Sequence, residues 1–194
     1  MESWLHWGWP SNPNLGILAL LAALAITAQQ YPFVLGPQHK ANAAIGCYFA
    51  ALLLFGPSTA LALTAGSQLV GGMLLHLRHN PRTGKPRRGL PEVVFNTAQL
   101  TLAIGLAGVV AHAGPPLSRF APGSLTVVGW AVPAAAIVAA LANSWLVALM
   151  VGIRQQRTPF QVWRRGQPDA TVETAVVLGL GVVVATVAIV DPWM

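Results

Sequence analysis

The chain has 194 residues, 55% of them apolar and 8% charged, with 11 Lys and Arg against 5 Asp and Glu and a net charge of +6. Ordinary soluble domains carry about 25% charged residues, so this chain cannot cover itself with polar surface, and its mean hydropathy of +0.60 agrees. A soluble globular domain, a disordered chain and a fibrous repeat are excluded. The expected fold class is an all-α integral membrane protein, with residues 1–194 forming a single polytopic domain in which about 20 apolar residues make one crossing.

Residues 1–14 form an arm rich in tryptophan, with Trp4, Trp7 and Trp9, a side chain that settles at membrane–water boundaries. The first apolar run, residues 15–29, closes at Gln30-Tyr31-Pro32. Its Ala23-Leu24-Ala25 mimics a signal-peptide cleavage site, yet the stretch before it holds Glu2 and no Lys or Arg. A signal peptide needs a positive leader, so the run is expected to be retained as a crossing. The second run, residues 41–55, ends at Gly56-Pro57, and the third, residues 58–77, starts directly after it. Those two are expected to form a tight helical hairpin. A basic loop follows at residues 78–91. The fourth run covers residues 92–113 and closes at Gly114-Pro115-Pro116. The fifth, residues 125–153, is too long for one untilted crossing and contains Pro133, so a kink or a short interfacial turn is expected there. A second basic loop at residues 154–170 leads to the sixth run, residues 171–190.

Six crossings put both basic loops on one side. Lys40, Arg78, Arg82, Lys85, Arg87, Arg88, Arg154, Arg157, Arg164 and Arg165 then share that side, with Arg119 opposite. The positive-inside rule assigns it to the cytoplasm and puts both termini outside. Topology and attraction to anionic lipid heads account for the charge. No nucleic-acid motif or aromatic interleaving accompanies it, so membrane lipids, and no nucleic acid, are the expected surface partner.

The polar residues inside the runs fall on faces. In the third, Thr64, Ser67, Gln68, Gly71 and Gly72 recur at i, i+3, i+4, i+7 and i+8; in the fourth, Glu92, Asn96 and Gln99 recur at i, i+4 and i+7; the fifth carries Asn143 and Ser144. An amide facing lipid leaves its hydrogen bonds unmade, so these faces point inward. They make either a small-ligand site between helices or interhelical hydrogen-bonding contacts, the latter worth about 0.6 kcal/mol each. Gly179 and Gly181 read as a close-packing pair.

Nothing in the chain supplies obvious chemistry. Glu92 and Glu173 complement helix N-termini, with Pro91, Asp169 and Thr171 as start signals. A proton relay needs an acid deep in a span, and both lysines, Lys40 and Lys85, lie in loops. His76 and His112 fall at opposite faces and cannot pair on a haem, while His39 could pair with His76 or His79 near the cytoplasmic face, where histidines flanking spans are more often boundary residues. Cys47 is the single cysteine, which rules out an internal disulfide. No P-loop, nucleophile elbow or zinc motif is present. The expectation is a protein that is not an enzyme and has no cofactor or metal.

Three stretches carry a resemblance. They are Leu52-Leu53-Leu54-Phe55-Gly56-Pro57-Ser58-Thr59-Ala60, then Val94-Phe95-Asn96-Thr97-Ala98-Gln99-Leu100, then Ala142-Asn143-Ser144-Trp145-Leu146-Val147-Ala148-Leu149 with the later Val162-Trp163-Arg164-Arg165. Their order, over residues 41–165, resembles the multi-pass membrane sensor domains that precede HD-GYP phosphodiesterase or diguanylate cyclase output domains in bacteria. The Gly-Pro hairpin is more faintly similar to substrate-binding components of energy-coupling-factor vitamin transporters. The resemblance implies a multi-pass protein of the bacterial inner (cytoplasmic) membrane. It also implies an input or scaffold half without its enzyme, since the chain ends after an even number of crossings.

The leading expectation is a non-enzymatic, sensor-like module binding a small ligand or partner within the bilayer, with Gln68, Asn96, Gln99 and Asn143 as ligand-binding residues. The alternative is an accessory subunit of a larger energy-transducing membrane complex, with Trp4, Trp7 and Trp9 docking on a protein partner or a second copy. A vitamin- or metal-uptake component stands third.

Overall fold

The computed structural model describes residues 14–31, 33–36, 39–41, 43–81, 83–84, 86–113 and 130–190. Among them the chain forms six helices and one small hairpin of strands. Helix α1 (Leu15–Gln30) starts at Asn14, whose Oδ1 accepts from the N–H groups of Gly16 and Ile17 at 3.1 and 3.3 Å. That satisfies two of the donors every helix start leaves open. The helix stops before Pro32, which disfavours helical backbone in the residue ahead of it. Strands β1 (Phe33–Gly36) and β2 (His39–Ala41) then pair antiparallel. The second apolar run was expected to begin at residue 41; the strand pair delays its helix, α2 (Ala44–Phe55), to residue 44.

Helix α2 is the centre of the molecule. Ala44, Ile45, Gly46, Tyr48, Phe49, Ala50, Ala51 and Leu52 are all buried, and the helix touches α1, α3, α4 and α6. A helix apolar all round belongs in such a position. It passes into α3 (Pro57–Leu77) through Gly56 alone, at φ 82° and ψ 176°. Only glycine occupies that backbone region comfortably. Pro57 takes the first helical position, where a missing N–H is no loss. The expected hairpin is therefore present, without intervening loop residues.

After α3, residues 78–89 lead to α4 (Leu90–Ala113). His76 Nδ1 lies 2.9 Å from the Arg88 carbonyl, and the Arg87 N–H donates to the Arg78 carbonyl at 2.9 Å. These bonds hold the end of α3 beside the start of α4. Glu92, in the first turn, accepts from the Gly89 N–H at 3.4 Å, the use expected of an acid at a helix start.

Helix α5 runs Ala131–Gln155 and α6 runs Pro159–Val190. Pro133 lies in the first turn of α5, where its missing N–H interrupts no helical hydrogen bond. Residues 125–129, the rest of that run, lie outside the described residues. The 154–170 loop is corrected by the structure. Only residues 156–158 separate α5 from α6; Gln156 turns the chain at φ 51°, and Pro159 opens the next helix. Arg164, Arg165, Asp169 and Thr171 therefore lie within α6, and the latter two do not cap it. A Cβ on Gly152 would meet the Arg157 carbonyl oxygen at 2.9 Å and Pro159 Cα at 3.3 Å, so the turn closes directly over that glycine.

Glycines also set the closest helix approach. A Cβ on Gly181 of α6 would lie 2.5 Å from the Gly46 carbonyl oxygen, and one on Gly46 would lie 2.7 Å from that of Val177. Backbones meet there as small residues allow in membrane bundles. Gly179, the other member of the expected pair, faces open space.

Pro57–Leu77, Leu90–Ala111 and Ala131–Gln155 are long and apolar enough to cross a membrane, which marks a multi-pass membrane protein. Leu15–Gln30, Ala44–Phe55 and the Val176–Val187 part of α6 are shorter apolar helices. Along α3 the polar face is the buried one. On α3 Gln68 is 2% exposed while its neighbours Leu69 and Val70 are about half exposed, the arrangement that lipid, not water, rewards.

Candidate functional site

Two polar groups form inside the bundle and share Gln68. The first gathers on the Tyr48 hydroxyl of α2. Gln29 of α1 donates to it at 3.3 Å and Gln68 of α3 at 3.0 Å, while Ser67 Oγ lies 3.1 Å away. Ser67 itself donates to the Leu63 carbonyl at 2.6 Å, so the tyrosine proton points to Ser67 and the phenolic oxygen receives both amides. Gln29 also donates to the Ser67 carbonyl at 3.0 Å, and Gln30 donates to that of Gly71 at 3.0 Å. A Cβ on Gly71 would overlap the Gln29 amide at 2.6 Å, so glycine is what lets that amide lie against α3. Three helices are pinned through one hydroxyl.

The second is a cavity of about 310 Å³. Its polar wall comes from α3 (Gln68), α4 (Asn96 and Gln99), α5 (Asn143), α6 (Thr174) and the residue two before α4 (Arg88). Its apolar wall is Ile45, Leu100, Val147 and Val177. Gln99 Nε2 donates to Asn143 Oδ1 at 2.6 Å and reaches the Asn143 carbonyl at 3.3 Å. This cross-link turns the Gln99 oxygen and the Asn143 amide protons into the free hydrogen-bonding groups of the pair. Gln68 likewise spends its amide nitrogen on Tyr48 and keeps its oxygen. Asn96 makes no hydrogen bond to any other described residue, and its whole amide is available.

A groove of about 250 Å³ adjoins the cavity, sharing Arg88, Asn96 and Val147 with it. Arg154 and Glu92 line this outer part and approach to 3.5 Å, both about half exposed. The site thus lies toward the basic end of the bundle. Asn96 is six residues into α4, about 9 Å along its axis.

The four residues expected to bind a ligand, Gln68, Asn96, Gln99 and Asn143, come together on this one cavity. Ser144, expected beside them, instead accepts from Trp163 Nε1 at 3.2 Å, and Trp163 packs edge-on against Trp145 with centroids 5.7 Å apart. Trp4, Trp7 and Trp9 lie outside the described residues. Gln29, Tyr48, Arg88 and Thr174 were missed as site residues. Gln29 stands at a run end, where a polar residue reads as a boundary, and Arg88 lies in the basic loop 78–91, where an arginine reads as a topology signal. Gln29, though, precedes Gln68 and Asn96 as an amide in an apolar run, and that shared chemistry was a usable signal. Among the described residues no group of three or more His, Cys, Asp or Glu is placed to hold a metal.

The cavity offers amide, hydroxyl and guanidinium groups, the means to orient a small polar molecule. No protein-family model matches the chain, and no curated protein matches it.

Proposed function

We propose that the protein is a non-enzymatic, sensor-like membrane module that binds a small polar ligand in the cavity between α2, α3, α4, α5 and α6. One observation carries this reading. Four amide side chains from three helices converge on a single cavity, with one of them, Asn96, left unpartnered by the described residues. Interhelical contact alone would use up these groups; here the Gln99 nitrogen is spent on Asn143 and the Gln68 nitrogen on Tyr48, which leaves the Gln68 and Gln99 oxygens, the Asn143 nitrogen and the Asn96 amide. In this reading all six helices cross the bilayer. The end of α3, the start of α4 and the α5–α6 turn face the cytoplasm with their arginines, and both termini lie outside.

The test is extraction in a lipid-preserving polymer followed by native mass spectrometry. A discrete small molecule should accompany the chain and be lost in Asn96→Leu, while the protein stays assembled. Equal retention by wild type and variant removes the site. A second reading, an accessory subunit of a larger complex, is favoured by an apolar groove of about 620 Å³ between α1 and α3, where Gly66 meets open space. Stoichiometric polypeptides in the same spectra would establish it.

A further inference from the structure

We infer that the ligand of this cavity carries a compact negative charge, a carboxylate or a phosphate, and that Arg88 is its counter-ion. This rests on the binding reading above and specifies its chemistry. Arg88 is half-buried and lines both the cavity and the adjoining groove. Its backbone carbonyl is engaged by His76, but its guanidinium makes no ion pair or hydrogen bond to any described residue. A charge partly withdrawn from water without a partner leaves part of its desolvation cost unoffset, so the geometry favours an anion beside it.

The surrounding groups agree. Among the described residues no carboxylate lines the cavity. The one in the adjoining groove, Glu92, is already approached by Arg154 at 3.5 Å, so the three charges at the mouth sum to positive. Helix α4 begins two residues after Arg88 and presents its positive end to the same place. Asn96, the Asn143 amide and the Thr174 hydroxyl supply neutral donors for the anion's oxygens. A guanidinium fork matches carboxylate and phosphate geometry, two donors to two oxygens. A dissolved anion and a lipid headgroup share this chemistry. The apolar flank of the groove, Phe95, Val147, Met150 and Val151, suits an acyl chain in the second case.

The experiment uses the whole chain in phosphatidylcholine nanodiscs, titrated with inorganic phosphate and separately with succinate at ionic strength held constant with KCl. Thermal unfolding is the readout, and a parallel set of discs contains phosphatidylglycerol. A saturable rise in unfolding temperature is expected with at least one anion. Arg88→Gln should weaken the response roughly 10-fold or more, the loss of one charged hydrogen-bonding partner. Arg87→Gln removes the same charge from an exposed neighbour and should change it by less than about twofold. Arg88→Lys keeps the charge and should retain a response, which guards against a folding defect in the glutamine variant. A response to dissolved anions identifies a soluble ligand; one confined to phosphatidylglycerol discs identifies a headgroup. No response in either set, an equal loss in Arg87→Gln, or no effect of Arg88→Gln overturns the inference. A neutral molecule released by Asn96→Leu under those outcomes would leave the binding reading standing and remove only its charge.

Discussion

The contact between α2 and α6 offers the sharpest test of the packing. Gly181→Ala places a methyl group 2.5 Å from the Gly46 carbonyl oxygen, and Gly46→Ala places one 2.7 Å from that of Val177. Ordinary contact begins near 3.4 Å, so the helices must part by about 0.9 and 0.7 Å respectively, and both obstacles are backbone that cannot rotate aside. Overpacking of this kind costs about 1–3 kcal/mol per substitution. The two act on one crossing, so the double variant should fall short of the sum, because a single separation relieves both overlaps. Gly179→Ala is the control: it sits in the same helix with open space around it and should be neutral or stabilising by up to about 1 kcal/mol, because alanine loses less backbone entropy in a helix. Unfolding free energies from a denaturing-detergent titration in bicelles compare the four variants with the wild type. Similar values for Gly181→Ala and Gly179→Ala would refute the close crossing.

A double-mutant cycle on Gln99→Leu and Asn143→Leu, followed by the same titration, should return a coupling of about 0.6–1.7 kcal/mol, the span measured for hydrogen bonds between membrane helices. Gly56→Ala should lose about 1–3 kcal/mol, since its backbone at φ 82° and ψ 176° is a region alanine occupies only under strain; an unchanged titration midpoint would contradict that turn.

Much of the bundle is legible from residue order because lipid imposes simple demands. Gly56-Pro57 announces its own turn. Thr64, Ser67, Gln68, Gly71 and Gly72 share a face that only burial can satisfy, and all five are buried. Asn96, Gln99 and Asn143 follow by the same logic, since an amide in an apolar run has nowhere else to go. The rest fails for equally physical reasons. Hydropathy reports what a residue faces, not whether its backbone is helical, so the polar first part of α6 reads as a loop in sequence although Pro159 suits a helix start. Tyr48 counts as apolar by composition, yet its hydroxyl organises three helices. The β1–β2 pairing depends on a register between Phe33 and Ala41 that no periodicity over so few residues reveals. Arg88 reads as one charge among many in a basic stretch; only the fold separates it from Arg87 and brings it to the cavity.

The single-residue join between α2 and α3 bears on how α2 is held in the bundle. A helix of 12 residues is about 18 Å long, well short of the hydrocarbon thickness of about 30 Å. Alone, it is too short to span that thickness. Tied to α3 through Gly56, with no loop between them, it has little freedom to move apart from α3. Within that pair the Tyr48 hydroxyl already finds Gln68 and Ser67. The α2–α3 hairpin is therefore a unit whose polar contacts are internal, and Gln29 of α1 adds to wiring that the hairpin already holds.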